Sequence, residues 1–327
     1  MALMMYRDAL RAALHEEMKR DPRVFVVGEE VGRYGGAYAV TKGLLQEFGE
    51  QRLVDAPISE ASTVGLGVGA AITGLRPVVE LMYVDFVGLA MDQIANQMAK
   101  VRYMTGGQVT VPMVLRTQGG TGRSAGAQHS QSLEAWLAHV PGLRVVMPAT
   151  PADAKGLLKT AIRSDDPVVF IEHKALYSMK GEVPEGEHLV PLGQAAVVRP
   201  GAHLTVVTYS RMVHVAIEAA QALAAEGIEA EVIDLRTLNP LDLDAVLASV
   251  RRTRRALVLN EAHRTAGFCS ELAARITEEL FDVLEAPVCR VAAKDVPVPA
   301  TLLEKLSIPG PEEVAAEARA LAKRRRK

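Results

Sequence analysis

Along the chain, short runs rich in β-branched and apolar residues alternate with longer stretches whose apolar positions recur every three or four residues. That alternation marks βαβ units feeding a mainly parallel sheet. Residues 24–27, 78–82, 109–115, 143–147 and 168–172 form such runs, mostly unbroken by polar residues, as strands buried on both faces must be. Between them, residues 89–104 set Met91, Ile94, Met98 and Val101 at helical spacing and stop at Gly106-Gly107. Thr150, Pro151 and Asp153 supply a cap, a first-turn proline and a capping-box acid for a helix over 154–163. Residues 1–20, with Arg7, Glu16, Glu17, Lys19 and Arg20 among apolar positions, read as one amphipathic helix.

The pattern then breaks. Residues 180–188 are polar, carry Gly181, Pro184 and Gly186, and fit neither period, which starts an interdomain linker that runs to about Gly201. Beyond it the βαβ rhythm resumes, with strands over 204–209, 230–235 and 256–259 and helices over 213–226, 242–251 and 270–284. Asn239, Pro240 and Asp242 repeat the cap, proline and acid signal. The expected fold class is therefore α/β, with two doubly wound domains at 1–180 and 202–327 joined by a linker at 181–201. A length of 327 residues suits two cores better than one.

Composition narrows the functional classes. With 37 Lys+Arg against 39 Asp+Glu, the chain lacks the global positive field that nucleic-acid binding usually needs. The basic run at 323–327 reads as a solvated tail. Two cysteines, Cys269 and Cys289, make neither a disulfide framework nor a metal-binding spacing; both are expected as small core residues in a reducing cytoplasm. The first residues have no apolar signal-peptide centre, and no run approaches the roughly 20 apolar residues of a membrane span, so a soluble, non-exported chain is expected.

Three segments carry candidate chemistry. Ser59-Glu60-Ala61-Ser62 precedes the small-residue run Gly65-Leu66-Gly67-Val68-Gly69-Ala70-Ala71, which lets a backbone approach a neighbouring helix or a flat ligand closely. Glu60 stands at the entrance to that contact, although a first-turn acid complementing a helix dipole explains it as well. Gly65, Gly67 and Ala70 also satisfy G-x-G-x-x-A and raise an NAD-dependent Rossmann dehydrogenase as an alternative. That fingerprint must follow a strand directly, whereas here the glycines fall inside the helix. The second segment, Glu80-Leu81-Met82-Tyr83-Val84-Asp85-Phe86, ends a strand where open α/β sheets bind ligands; Phe86 suits either ring stacking or the core. In the third, a glycine-rich loop from Thr117 to Gln128 leads to His129-Ser130-Gln131-Ser132 and can set an imidazole over a substrate, or leave it as a surface histidine.

These segments resemble a known family when read together. Gly28-Glu29-Glu30-Val31 with Gly35-Gly36-Ala37-Tyr38, Asp55-Ala56-Pro57-Ile58-Ser59-Glu60, Gln128-His129-Ser130-Gln131 and Asp234-Leu235-Arg236-Thr237-Leu238 occur in order along nearly the whole chain. They resemble the β subunits of pyruvate, branched-chain oxo acid and acetoin dehydrogenases. The resemblance implies a thiamine-pyrimidine-binding, transketolase-like first domain and a transketolase C-terminal-like second one. It implies thiamine diphosphate shared with an α subunit in an α2β2 heterotetramer, the α subunit holding the diphosphate and Mg2+ through a Gly-Asp-Gly motif that this chain lacks. Within this chain it implies that Glu60 bonds the pyrimidine N1′, that Phe86, with Tyr83 beside it, packs on the ring, and that His129 assists acyl transfer to a lipoyl-bearing acyltransferase core. Some relatives hold K+; the corresponding segment here would place Ala161, Ile162, Ser164 and Asp166 around it, with Ser164 where many relatives have an acid. Tyr83-Val84-Asp85-Phe86, Glu172-His173-Lys174 and Met212-Val213-His214 resemble acetoin enzymes, while Gly28-Glu29-Glu30-Val31 leans toward pyruvate. A non-catalytic subunit that only supports its partner is the remaining alternative.

Overall fold

The computed structural model describes residues 1–324, so Arg325, Arg326 and Lys327 of the basic run lie outside the described residues. The apolar runs pair into two sheets. The larger has seven strands in the spatial order Thr237–Asn239, Arg144–Val146, Val168–His173, Val114–Gly119, Arg76–Leu81, Val24–Gly28, Leu53–Asp55. All its pairings are parallel except the outermost, where Thr237–Asn239 lies antiparallel to Arg144–Val146. Every residue of Val24–Gly28, Val114–Gly119 and Val168–His173 is buried; the first carries no polar side chain, while the other two take Arg116, Thr117, Gln118, Glu172 and His173 into the interior. The second sheet orders Cys289–Ala293, Ala256–His263, Leu204–Thr208, Ala230–Asp234 and Ala196–Arg199, the last antiparallel to its neighbour.

The two units are not independent. Thr237–Asn239 belongs to the C-terminal part of the sequence yet completes the first sheet, and Met147 donates its amide to the Arg236 carbonyl. The core follows suit: Val145 and Leu137 share one apolar cluster with Val207, Ile233 and Leu272. The Asp234 carboxyl at this junction is pushed up to about 8, first by burial and then by the charge of Asp153.

Several local expectations are corrected. Residues 1–20 are not one helix: Ala2–Met5 forms a strand antiparallel to Lys180–Val183, and the helix is Tyr6–Arg20. Lys180–Val183, read as the start of a linker, is thus the other strand of that pair. A pairing across some 180 positions leaves no local periodicity to read. Residues 89–104 are not a continuous helix either, but a 3-10 stretch at Val84–Ala90, a π-helical stretch at Gln93–Met98 and a short α-helix at Val101–Met104. Ile94 and Met98 are fully buried, so the three-four spacing was serving the core through a widened turn. Asp242, not Asn239, caps the helix Leu243–Thr253, accepting the Ala245 amide. Cys269 is buried, but Cys289 is only partly so, with its thiol 3.7 Å from a carboxylate oxygen of Glu317.

Candidate active site

In the first sheet the chain runs from Val24–Gly28 outward to Leu53–Asp55, then crosses back through the helix Glu60–Ile72 to Arg76–Leu81 on the other side. The strand order therefore reverses beside Gly28, and ligands of open α/β sheets bind at the carboxyl ends of strands at such a point. Gly28 and Leu81 end their strands there, and Glu29 and Met82-Tyr83 follow them out of the sheet. Glu60 is the first residue of the crossing helix, half-exposed, and its carboxylate has no hydrogen-bond partner among the described residues. Burial, and then the charges of Glu60 and Glu80, raise the Glu29 carboxyl, which puts these acids within electrostatic reach of one another.

The small residues after Glu60 do what their size allows. A Cβ on Gly67 would stand 2.5 Å from a Val79 methyl and 2.9 Å from the Met113 methyl, so the helix lies tight on the sheet. Gly65 and Gly67 sit inside the helix and pack against side chains rather than forming a phosphate-binding turn, so the Rossmann alternative finds no support in the fold.

The structure brings Tyr83, Phe86 and His129 together. The His129 imidazole meets Tyr83 edge-on at 5.5 Å between ring centroids and Phe86 at 5.3 Å. Phe86 also packs on the core, one of its two expected uses. Among the described residues no hydrogen bond or ring contact joins Glu60 to this trio.

The loop that delivers His129 is held at both ends. The Gly120 amide donates to the Gln131 carbonyl, and the Gln131 amide donates to Asp85 at 3.0 Å. Gly120 has φ +81°, and a Cβ there would lie 2.1 Å from the His173 ring, so only glycine fits. The C-terminal unit clamps the loop as well. Glu261 accepts from the Thr121 amide and hydroxyl at 2.6 and 2.7 Å, and its other oxygen pairs with His173 at 3.0 Å. Glu304 accepts from the amides of Gly122 and Ser124. Burial alone would raise the Glu261 carboxyl, but His173, Arg211 and the Thr121 amide outweigh it and hold it well below the usual carboxylate range.

Beneath the aromatic residues lies a charged network that sequence reasoning missed. Arg116, fully buried in mid-strand, donates to Glu80 at 2.6 Å and to both oxygens of Glu172 at 2.6 and 2.8 Å. Tyr177 donates to Glu172 at 2.5 Å and stacks on Tyr38 at 4.4 Å, so the network fixes the aromatic floor. The signal was available: an arginine inside a strand buried on both faces needs carboxylates on the adjoining strands. Glu80 stands opposite it in register. Arg116→Met should leave two buried carboxylates uncompensated and destabilise the fold by roughly 3–5 kcal/mol. Urea unfolding followed by circular dichroism measures this; a loss below about 1 kcal/mol would show that the network is not needed for stability.

The potassium expectation does not fit the arrangement. The carbonyls of Ile162 and Ser164 both accept from the Arg76 guanidinium at 3.0 Å, that of Ala161 accepts from the Ser164 amide, and Asp166 is bridged by Arg102 and Arg144. Arginine side chains thus occupy the Ile162 and Ser164 carbonyls and the Asp166 carboxylate, and a backbone amide occupies the Ala161 carbonyl. The pyrimidine expectation does fit: an unpartnered carboxylate at a helix start and an aromatic edge flank the switch point.

Comparison with known proteins agrees with this architecture. Residues 2–180 match the family model of the transketolase pyrimidine-binding domain, and residues 193–314 that of the transketolase C-terminal domain. A split-gene transketolase, solved as an inactive β4 tetramer, superposes with a TM-score of 0.80 at 23% identity, covering 99% of both chains. The fold is thus that of the transketolase pyrimidine-binding and C-terminal domains. Among curated proteins, the pyruvate dehydrogenase E1 component subunit β of Porphyra purpurea is 50% identical over 94% of this chain and 93% of its own length. The mitochondrial subunit β-1 of Arabidopsis thaliana is 49% identical over 95% and 87%. The β subunit of acetoin:2,6-dichlorophenolindophenol oxidoreductase of Cupriavidus necator is 48% identical over 95% of both. The chain belongs to the family of β subunits of thiamine-diphosphate-dependent 2-oxo acid dehydrogenases.

Proposed function

We propose that this chain is the β subunit of a pyruvate dehydrogenase, acting in the cytoplasm within an α2β2 heterotetramer and passing its acyl group to a lipoyl-bearing acyltransferase core. The observation that carries the reading is the seating of His129 between Tyr83 and Phe86 at the carboxyl edge of the sheet, beside the switch point where Glu60 begins its helix. In this reading Glu60, Tyr83 and Phe86 hold the pyrimidine of thiamine diphosphate, and the α subunit holds the diphosphate and Mg2+. When bound, the cofactor supplies the electron sink for loss of carbon dioxide from the oxo acid.

The residues of this chain do the remainder. Glu60, whose carboxylate has no other partner among the described residues, would bond the pyrimidine and hold or pass a proton there. Phe86 and Tyr83 exclude water from that contact. His129, on a loop pinned at both ends, donates to an oxygen or sulfur on which negative charge develops. Acetoin cleavage is the second reading, favoured by the Cupriavidus relative, whose similarity nearly equals that of the pyruvate enzymes.

The test is to purify the chain with its α subunit and assay pyruvate, branched-chain oxo acids and acetoin with an artificial electron acceptor. Pyruvate should be turned over fastest and should acylate a free lipoyl domain. Turnover of none of the three would sink both readings.

A further inference from the structure

Beside His129 opens a cavity of about 590 Å3 whose charged lining is wholly cationic: Arg7, Lys42, Arg123 and Lys174, with no Asp or Glu among its lining residues. Lys174 is the unusual member. Its side chain is about 1% exposed, its ammonium donates to the His129 carbonyl and sits 4.9 Å from the centroid of the Tyr83 ring. Neither it, nor Lys42, nor Arg123 forms an ion pair with a carboxylate among the described residues. Asp85, Glu304 and Glu261 act on Lys174 only through space, while Arg123, its guanidinium 5.9 Å from the Tyr38 ring, opposes its charge. A buried ammonium without a counter-ion is costly, and the ring face and one carbonyl satisfy only part of its three-donor capacity.

We infer that Lys174, with Arg123 at the rim, is a specificity-determining pair that captures the carboxylate of the 2-oxo acid. The inference rests on the reading of this chain as a 2-oxo acid dehydrogenase subunit. The chemistry separates its two candidate substrates: pyruvate carries a carboxylate one bond from its carbonyl, whereas acetoin is neutral and gains nothing from these cations. A cation pressed onto the carboxylate in the transition state would oppose loss of carbon dioxide, so the pair belongs to capture rather than to bond breaking. Its effect should therefore fall on kcat/KM and KM more than on kcat.

The experiment uses the reconstituted αβ enzyme and measures kcat/KM for pyruvate and for acetoin with an artificial acceptor, in wild type, Lys174→Met and Arg123→Gln. Arg123 is exposed, so its variant folds even if burial makes Lys174→Met unstable. The ratio of kcat/KM for pyruvate over acetoin should drop about 10- to 100-fold in Lys174→Met and less in Arg123→Gln. In both variants the fall of pyruvate kcat/KM with ionic strength should flatten. Equal losses for the two substrates would overturn the proposal and reduce Lys174 to a prop for the His129 loop. A wild type that cleaves acetoin but ignores pyruvate overturns it too. A wild type active on neither removes the underlying substrate reading as well, a failure visible before any variant is made.

Discussion

Glu60→Gln slows proton–deuterium exchange at the thiazolium carbon of bound thiamine diphosphate by roughly 10²–10⁴-fold, the usual contribution of a positioned acid or base. The substitution keeps shape and hydrogen-bonding reach but removes the ability to exchange a proton with the pyrimidine. Glu60 begins its helix at the switch point, half-exposed and with no hydrogen-bond partner among the described residues. Losing its charge breaks no internal bond, so folding and assembly with the α subunit should survive. Size-exclusion chromatography of the αβ complex verifies that, and the exchange rate then isolates the role. Exchange near the wild-type rate removes Glu60 from cofactor activation.

His129→Ala is expected to damage acyl transfer to a lipoyl domain by roughly 10²–10⁴-fold while decarboxylation falls far less. Opening the dithiolane leaves a thiolate that needs a proton, whereas loss of carbon dioxide leans on the cofactor's electron sink. The imidazole sits edge-on to Tyr83 and Phe86 on a loop clamped by Asp85, Glu261 and Glu304. Truncating it opens space but leaves the clamps in place. Two assays on the one variant decide: turnover with an artificial acceptor, and acylation of a free lipoyl domain. Equal losses in both would move His129 to an earlier step.

Much of this was legible in the sequence because buried parallel strands announce themselves. Residues 24–27 and 168–171 had no polar break to hide them, and Thr150 and Pro151 marked a helix start that the Thr150 side chain indeed caps. Family resemblance, not spacing, implied that Tyr83 and Phe86 line the cofactor and that His129 faces the substrate; their contact with one another was found only in the structure. What stayed hidden depended on distant partners. Ala2–Met5 is a strand only because Lys180–Val183 lies beside it, and Thr237–Asn239 leaves its own unit to finish another sheet. The clamp on the His129 loop joins positions about 140 to 180 residues apart, so no window of sequence contains it. Arg116 alone was readable in principle, since a charge in a doubly buried strand is a demand for partners.

In the proposed assembly this chain holds half of a divided site. Isothermal titration of thiamine diphosphate with Mg2+ into the chain alone, and into the chain mixed with its α subunit, tests it most directly. The chain alone should give little or no heat, with tight, Mg2+-dependent binding once the α subunit is present; tight Mg2+-dependent binding by the isolated chain would show that the site is not divided.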